Sequence, residues 1–161
     1  MKKILYATLI ISLTALSCKK DAPADEPTFE VIQITTDFGN IYLDLYEETP
    51  LHKHNFDSLV RAAYYDSTEF HRCVDNFVIQ GGSPSSKDDN RNNDGSGGPG
   101  YTVPAEIDSS MFKHFYGALA AARIGNMTNP SRKSSGSQFY IVSGRKYFDN
   151  ELDDLEEQND Y

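Results

Sequence analysis

Phe70 to Gly82 reads FHRCVDNFVIQGG, a β-like apolar run with an arginine at its third position, a glutamine at its eleventh and a glycine pair at its end. Arg72 and Gln80 are costly to bury without partners, because their several donors and acceptors lose water on burial. They therefore face either solvent or a ligand. Asp75-Asn76 favours a turn and breaks the run. The break resets the strand phase, so that Phe77 can join Arg72 and Gln80 at one site despite its opposite parity along the chain. Cys73, between Arg72 and Val74, reads as a small buried apolar residue.

Upstream, FEVIQITTDFGNIYLDLYEE alternates on both sides of Asp37-Phe38-Gly39-Asn40, with Ile32 and Ile34 on one face before the turn and Ile41, Leu43 and Leu45 after it. This predicts a β-hairpin with glycine at the turn. Thr49-Pro50 opens a helix of about three turns whose apolar face is Leu51, Phe56, Leu59, Val60 and Ala63. Downstream, Ser83 to Gly100 is a long loop rich in Gly, Asn, Asp and Ser, and loops of that length within a domain are commonly functional or mobile. It makes a poor phosphate cradle, since GSGGPG lacks the Lys-Ser/Thr of a P-loop and no helix pattern follows. GALAAAR (Gly117–Arg123) is a small-residue apolar segment, and Ile124 to Ser135 is a second polar loop. GSQFYIV (Gly136–Val142) is a strand in which Phe139 and Ile141 face the core by alternation with Gln138 and Tyr140. The acidic residues 149–161 (DNELDDLEEQNDY) read as an insertion or tail that begins a solvated helix.

The chain has 161 residues, 39% apolar and 12% aromatic, enough for one domain with an ordinary core. Ten Tyr and nine Phe without a Trp, in short runs punctuated by glycine, give a mainly β class. Lys plus Arg is 15 against 24 Asp plus Glu, which argues against nucleic acid, whose phosphates demand a basic face.

The N-terminal residues stand apart from the domain. Lys2-Lys3 precede a 13-residue uncharged run, Ile4 to Leu16, too short to span a bilayer comfortably and typical of a signal-peptide core. The run ends in Ala15-Leu16-Ser17-Cys18, which resembles the bacterial lipobox. Residues 1–17 are thus expected to be a signal peptide, Cys18 the lipidation site, and residues 18–28 a lipidated, polar, Pro-containing tether. Several acyl chains on one cysteine hold a protein firmly at a membrane. The expected localisation is therefore exported and lipid-anchored in the bacterial cell envelope, facing the periplasm or in the outer membrane. Only Cys18 and Cys73 exist, so no disulfide framework is implied.

FHRCVDNFVIQGG resembles the FHR-x-x-x-x-F-x-x-QGG signature of the cyclophilins, and SGGPGY, GALAAAR and SSGSQFYIV follow in the family's order. The resemblance covers residues 29–148. It implies an eight-stranded antiparallel β-barrel closed by two helices, with peptidyl-prolyl cis-trans isomerase activity on proline-containing polypeptide clients. No cofactor and no metal are expected, and the chain is expected to be a monomer. On this resemblance Arg72 is the catalytic arginine, Phe77 floors the proline pocket, and Gln80 orients the arginine and the substrate backbone. Val78 stands where Met or Leu is common, Ala122 and Arg123 take the Ala-Asn positions of the peptide groove, and Gln138 and Tyr140 take the Gln and Phe of its far wall. Two departures are chemical: Arg123 replaces a groove asparagine, and Tyr140 adds a hydroxyl to an apolar pocket. A third concerns extent. The family's last loop, two strands and helix, with its pocket leucine and histidine and its lid aromatic, have no counterpart here, so this sequence is expected to be a fragment of a longer gene product that supplies those strands. Phe148 reaches the lid position by ungapped counting.

Rotation about an X-Pro bond disrupts amide resonance but makes no bond to carbon, so a catalyst needs neither nucleophile nor metal, only a site that fits the twisted amide best. The twisted prolyl nitrogen regains a lone pair, and Arg72 is a charged, rigid donor that can be aimed at it. Gln80 and Gln138 can each donate and accept, which suits gripping an extended backbone of varied sequence. With the expected export signal, the resemblance implies assistance to the folding of exported proteins; the alternative is a binding module on a lipid-anchored envelope protein that holds proline segments without turning them over. His52 and His54, two residues apart, invite a metal, but no cysteine or carboxylate set converges with them.

Overall fold

In this computed structural model, which describes residues 31–152 and 154, the alternation around Asp37 folds as a hairpin. Strand β1 (Ile32–Thr36) pairs antiparallel with β2 (Gly39–Leu43), Ile34 opposite Ile41 and Thr36 opposite Gly39. The connection is thus the dipeptide Asp37-Phe38, tighter than the alternation suggests, and Gly39 at φ +126° occupies backbone space that L side chains rarely adopt. The signal-peptide run, Cys18, the tether and the acidic residues beyond 154 lie outside the described residues.

Helix α1 (Pro50–Arg61) begins with proline at its first position, where a missing N–H costs nothing. Phe56 and Leu59 are buried and Val60 packs against the core, whereas Leu51 is 49% exposed and Ala63 lies beyond the helix end at φ +53°. The apolar face is therefore narrower than the sequence pattern implies. Thr49 makes no side-chain capping bond. The cap comes from far along the chain: Glu106 accepts the N–H groups of Leu51 and His52, each at 2.9 Å, and lies 2.6 Å from His52 Nδ1. A carboxylate at a helix N-terminus satisfies orphan donors and suits the helix dipole.

The remaining strands are β3 (Arg72–Val74), β4 (Val78–Gly81), β5 (Thr102–Val103), β6 (Leu119–Ala121), β7 (Ser134–Ser135) and β8 (Phe139–Val142). They form an antiparallel four-stranded sheet in the order β3-β4-β8-β6 and a two-stranded β5-β7 pair. A 3-10 turn, Pro84–Lys87, interrupts the long loop after β4. Among the described residues eight strands thus lie in three hydrogen-bonded sheets, a mainly β arrangement. Cys73 is not buried as the apolar run suggests: β3 is the outer strand of its sheet, and the thiol is free and exposed.

The core gathers Leu43, Phe56, Phe139 and Ile141, with side chains from β1, β2, α1 and β4 packed around them. Phe139 meets Phe56, Tyr65 and Phe70 edge-on at centroid distances of 5.5, 5.6 and 6.1 Å, an arrangement aromatic quadrupoles favour. The alternation read along GSQFYIV puts Phe139 and Ile141 into this core, and Tyr140 on the opposite face.

Candidate active site

The break at Asp75-Asn76 is a chain reversal rather than a change of phase along one strand. Asn76 takes the left-handed conformation at φ +57°, which asparagine tolerates better than most residues, and the Phe77 N–H donates to Val74 O at 3.2 Å. The strands on either side pair in register, Val74 with Val78 and Arg72 with Gln80. Arg72 and Gln80 are therefore cross-strand neighbours on one face. The carbonyl of Phe77 accepts N–H bonds from Ser143 at 2.9 Å and Gly144 at 3.1 Å, while the residue remains 54% exposed.

A chain of three hydrogen bonds orients the polar side of the site. Arg72 Nη1 donates to Gln80 Oε1 at 3.0 Å, Gln80 Nε2 donates to Gln138 Oε1 at 3.1 Å, and Gln138 Nε2 donates to Gly95 O at 2.9 Å. Each carboxamide has its oxygen toward one neighbour and its nitrogen toward the next, so neither can flip without losing both bonds. The Gly95 carbonyl belongs to the long Ser83–Gly100 loop, which thereby anchors the relay.

The backbone that carries Gln138 is itself pinned from α1 and the residues after it. His52 Nε2 lies 2.9 Å from Ser134 Oγ, Asn55 Nδ2 donates to Gly136 O at 2.8 Å, and Tyr65 Oη donates to Ser137 O at 3.1 Å. The second glycine of the QGG run belongs to the same contact: Gly82 has φ +82°, and a Cβ there would stand 2.4 Å from Ser137 O. No other residue fits both demands.

Arg72, Phe77, Gln80, Ala122, Arg123 and Tyr140 line one open groove of about 650 Å³. Val78 also borders it but is only 1% exposed, so it forms the wall behind the surface. Gln138 is not on the lining; it stands behind Gln80 with its donor committed to the loop. The segment 124–128, which the sequence gives only as a polar loop, supplies the rest of the wall, including a fully exposed Met127. Its apolar members Ile124 and Met127, unusual in a polar loop, were the available signal.

Tyr140 pairs with a residue that the sequence reading missed. Its hydroxyl lies 2.9 Å from His114 Nε2, and the rings stack at 5.8 Å with 18° between planes. Burial pushes the Tyr140 phenol above its ordinary value, while the nearby Arg123 charge works in the opposite direction. Arg123 Nη1 donates to Asn126 Oδ1 at 2.6 Å. Among the described residues no group of three His, Cys, Asp or Glu could hold a metal, and both ring nitrogens of His52 are engaged.

Residues 31–156 match the family model for cyclophilin type peptidyl-prolyl cis-trans isomerases. This chain belongs to the cyclophilin family. Peptidyl-prolyl cis-trans isomerase B of Bacillus subtilis (strain 168) is 38% identical over 107 residues, 66% of each chain. A Helicobacter pylori peptidyl-prolyl cis-trans isomerase is 35% identical over 109 residues, 67% of this chain and 59% of its own. The match to this cyclophilin thus spans less than two thirds of the length of both relatives. The crystal structure of a Cryptosporidium parvum cyclophilin type peptidyl-prolyl cis-trans isomerase in the presence of the dipeptide Ala-Pro matches with a TM-score of 0.60 at 28% identity, covering 71% of this chain and 68% of that one. The fold is that of the cyclophilins.

Proposed function

We propose that this cyclophilin is a peptidyl-prolyl cis-trans isomerase that acts on proline segments of exported proteins. The observation that carries the reading is that Arg72 and Gln80, oriented by Gln138 behind them, line the same open groove as the exposed Phe77. Phe77 offers apolar surface to a prolyl ring and holds it while the preceding carbonyl swings. Arg72, oriented by Gln80, donates to the prolyl nitrogen as amide resonance is lost, an interaction that strengthens only in the twisted state. An acceleration of about five decades corresponds to about 7 kcal/mol, shared among that donor, the ring contact and restraint of the backbone. None of these steps moves a proton, and an arginine stays charged at all ordinary pH, so activity is level between about pH 6 and 9.

Exchange spectroscopy on an Ala-Pro tetrapeptide with the purified protein tests this. Cis and trans signals should exchange far faster than the tens of seconds of the free peptide; folded protein that binds the peptide without speeding exchange would leave only a binding module.

We also propose that the chain is exported and anchored through lipid on Cys18. The support is the sequence order of Lys2-Lys3, the uncharged run Ile4 to Leu16, and Ala15-Leu16-Ser17-Cys18. Cells expressing the full chain should incorporate labelled palmitate into it and lose that label in C18S, with the protein leaving the membrane fraction.

A further inference from the structure

The groove has a charge opposite to that of the chain around it. Its lining includes Arg72 and Arg123 and no aspartate or glutamate, in a protein with 24 acidic residues against 15 basic. Among the described residues both guanidiniums hydrogen-bond only neutral acceptors: Arg72 meets Gln80, and Arg123 meets Asn126 Oδ1 at 2.6 Å and Ile124 O at 3.4 Å. Among the described residues, the ion pairs of the molecule involve other side chains. A guanidinium carries five N–H donors in a planar fork, so each arginine retains donors that no carboxylate among the described residues occupies. Arg72 has a role on the prolyl nitrogen. Arg123 has none there, yet the Asn126 and Ile124 bonds hold it on the groove wall, close enough for its charge to act on the Tyr140 phenol.

We propose that the groove prefers proline segments carrying an aspartate or glutamate within two residues of the proline, and that Arg123 is the residue that reads it. The proposal rests on the reading of the groove as the site of X-Pro segments. An extended chain advances roughly 3.3–3.6 Å per residue, and Arg123 and Arg72 share one groove, so the matching carboxylate belongs a residue or two from the proline. Net charge does not defeat this. The Debye length at physiological salt is about 8 Å, so the distant acids of the chain are screened while a direct guanidinium-carboxylate contact survives. A planar fork facing a carboxylate can be bidentate.

The test uses two sets of matched tetrapeptides bearing Glu, Gln or Lys, one set substituted before the proline and one after it, with the folded protein and its R123Q and R123K variants. In one of the two sets kcat/KM for Glu should exceed that for Gln about three- to tenfold at low salt, with Lys below Gln. The ratio should approach one in 1 M NaCl, vanish in R123Q and be partly kept in R123K, whose point charge lacks the fork. Equal Glu and Gln values in both sets, or a ratio unchanged in R123Q, would overturn the proposal. If no peptide is isomerised, the isomerase reading fails by itself, and the same ratio is then read from Kd by NMR titration, where equal affinities would overturn the preference.

Discussion

Arg72 and Gln80 face each other across the β3–β4 hairpin, and Arg72 Nη1 donates to Gln80 Oε1 at 3.0 Å. The hairpin register fixes the meeting, and the next bond of the relay decides which end of the carboxamide the arginine sees. Removing an aimed donor from a site of this kind costs roughly two to three decades in rate. R72A should therefore lower kcat/KM about 10²- to 10³-fold, and R72K should recover little of it because an ammonium lacks the fork. Arg72 is exposed, so urea unfolding of either variant should stay within about 0.5 kcal/mol of the parent.

Gln138 acts through Gln80 rather than on the substrate. Its loss would leave Gln80 Nε2 without its 3.1 Å acceptor and free the carboxamide to turn away from Arg72. One net hydrogen bond is worth about 0.5–1.5 kcal/mol, so Q138A should lower kcat by up to about tenfold with little change in KM. Residues in one network are not additive. The Q80A/Q138A double variant should be scarcely slower than Q80A, and additive losses would show that Gln138 meets the substrate directly.

Glu106 makes the fold sensitive to acid. Its side chain is 13% exposed. Desolvation, the largest single influence, pushes its carboxyl up, but the Leu51 N–H, the His52 side chain and the His52 N–H outweigh it, and the net shift is below the ordinary 4.5. A carboxyl lowered in the folded state contributes stability that is present above its unfolded value and lost as pH falls through the folded one. E106Q keeps the shape but turns an amide donor toward helix N–H groups. It should cost about 1–2 kcal/mol at pH 7, and the difference from the parent in urea melts should shrink as pH drops below about 4.

How much of this was legible follows from what each residue depends on. The hairpin around Asp37 and the burial of Phe139 and Ile141 come from local alternation, which a sequence displays directly. Arg72 and Gln80 stood out because polar groups in an apolar run require an explanation, whereas Phe77 was singled out by the cyclophilin resemblance. The exposure of Cys73 was hidden because it depends on β3 being an outer strand, a property of pairing order. The helix cap was hidden for a similar reason: the acceptor is Glu106, 55 residues beyond Leu51. His114 and the 124–128 wall were missed because loop residues carry no periodicity to say where they return. Gln138 was seen, but its position one step behind the groove depends on the path of the long loop that offers Gly95 O.

Gly82 gives the sharpest test of why the apolar run ends in two glycines. At Gly81 an added Cβ would meet the Phe70 ring at 3.2 Å and Glu69 O at 3.3 Å, close contacts that shifts of a few tenths of an ångström relieve. At Gly82 it would stand 2.4 Å from the Ser137 carbonyl and 3.0 Å from Phe139, with the backbone at φ +82°. Neither neighbour can yield, since Ser137 O is held by Tyr65 Oη and Phe139 is packed among three aromatic rings. A strained backbone costs roughly 1–3 kcal/mol by itself, and overpacking adds a similar amount. G82A should therefore lose about 2–5 kcal/mol in urea melts and G81A about 1 kcal/mol or less. Because Gly82 holds the strand end against the segment bearing Gln138, G82A protein that remains folded should also show reduced kcat. Equal stability of the two alanine variants would mean that the glycine pair has no role in bringing these two segments together.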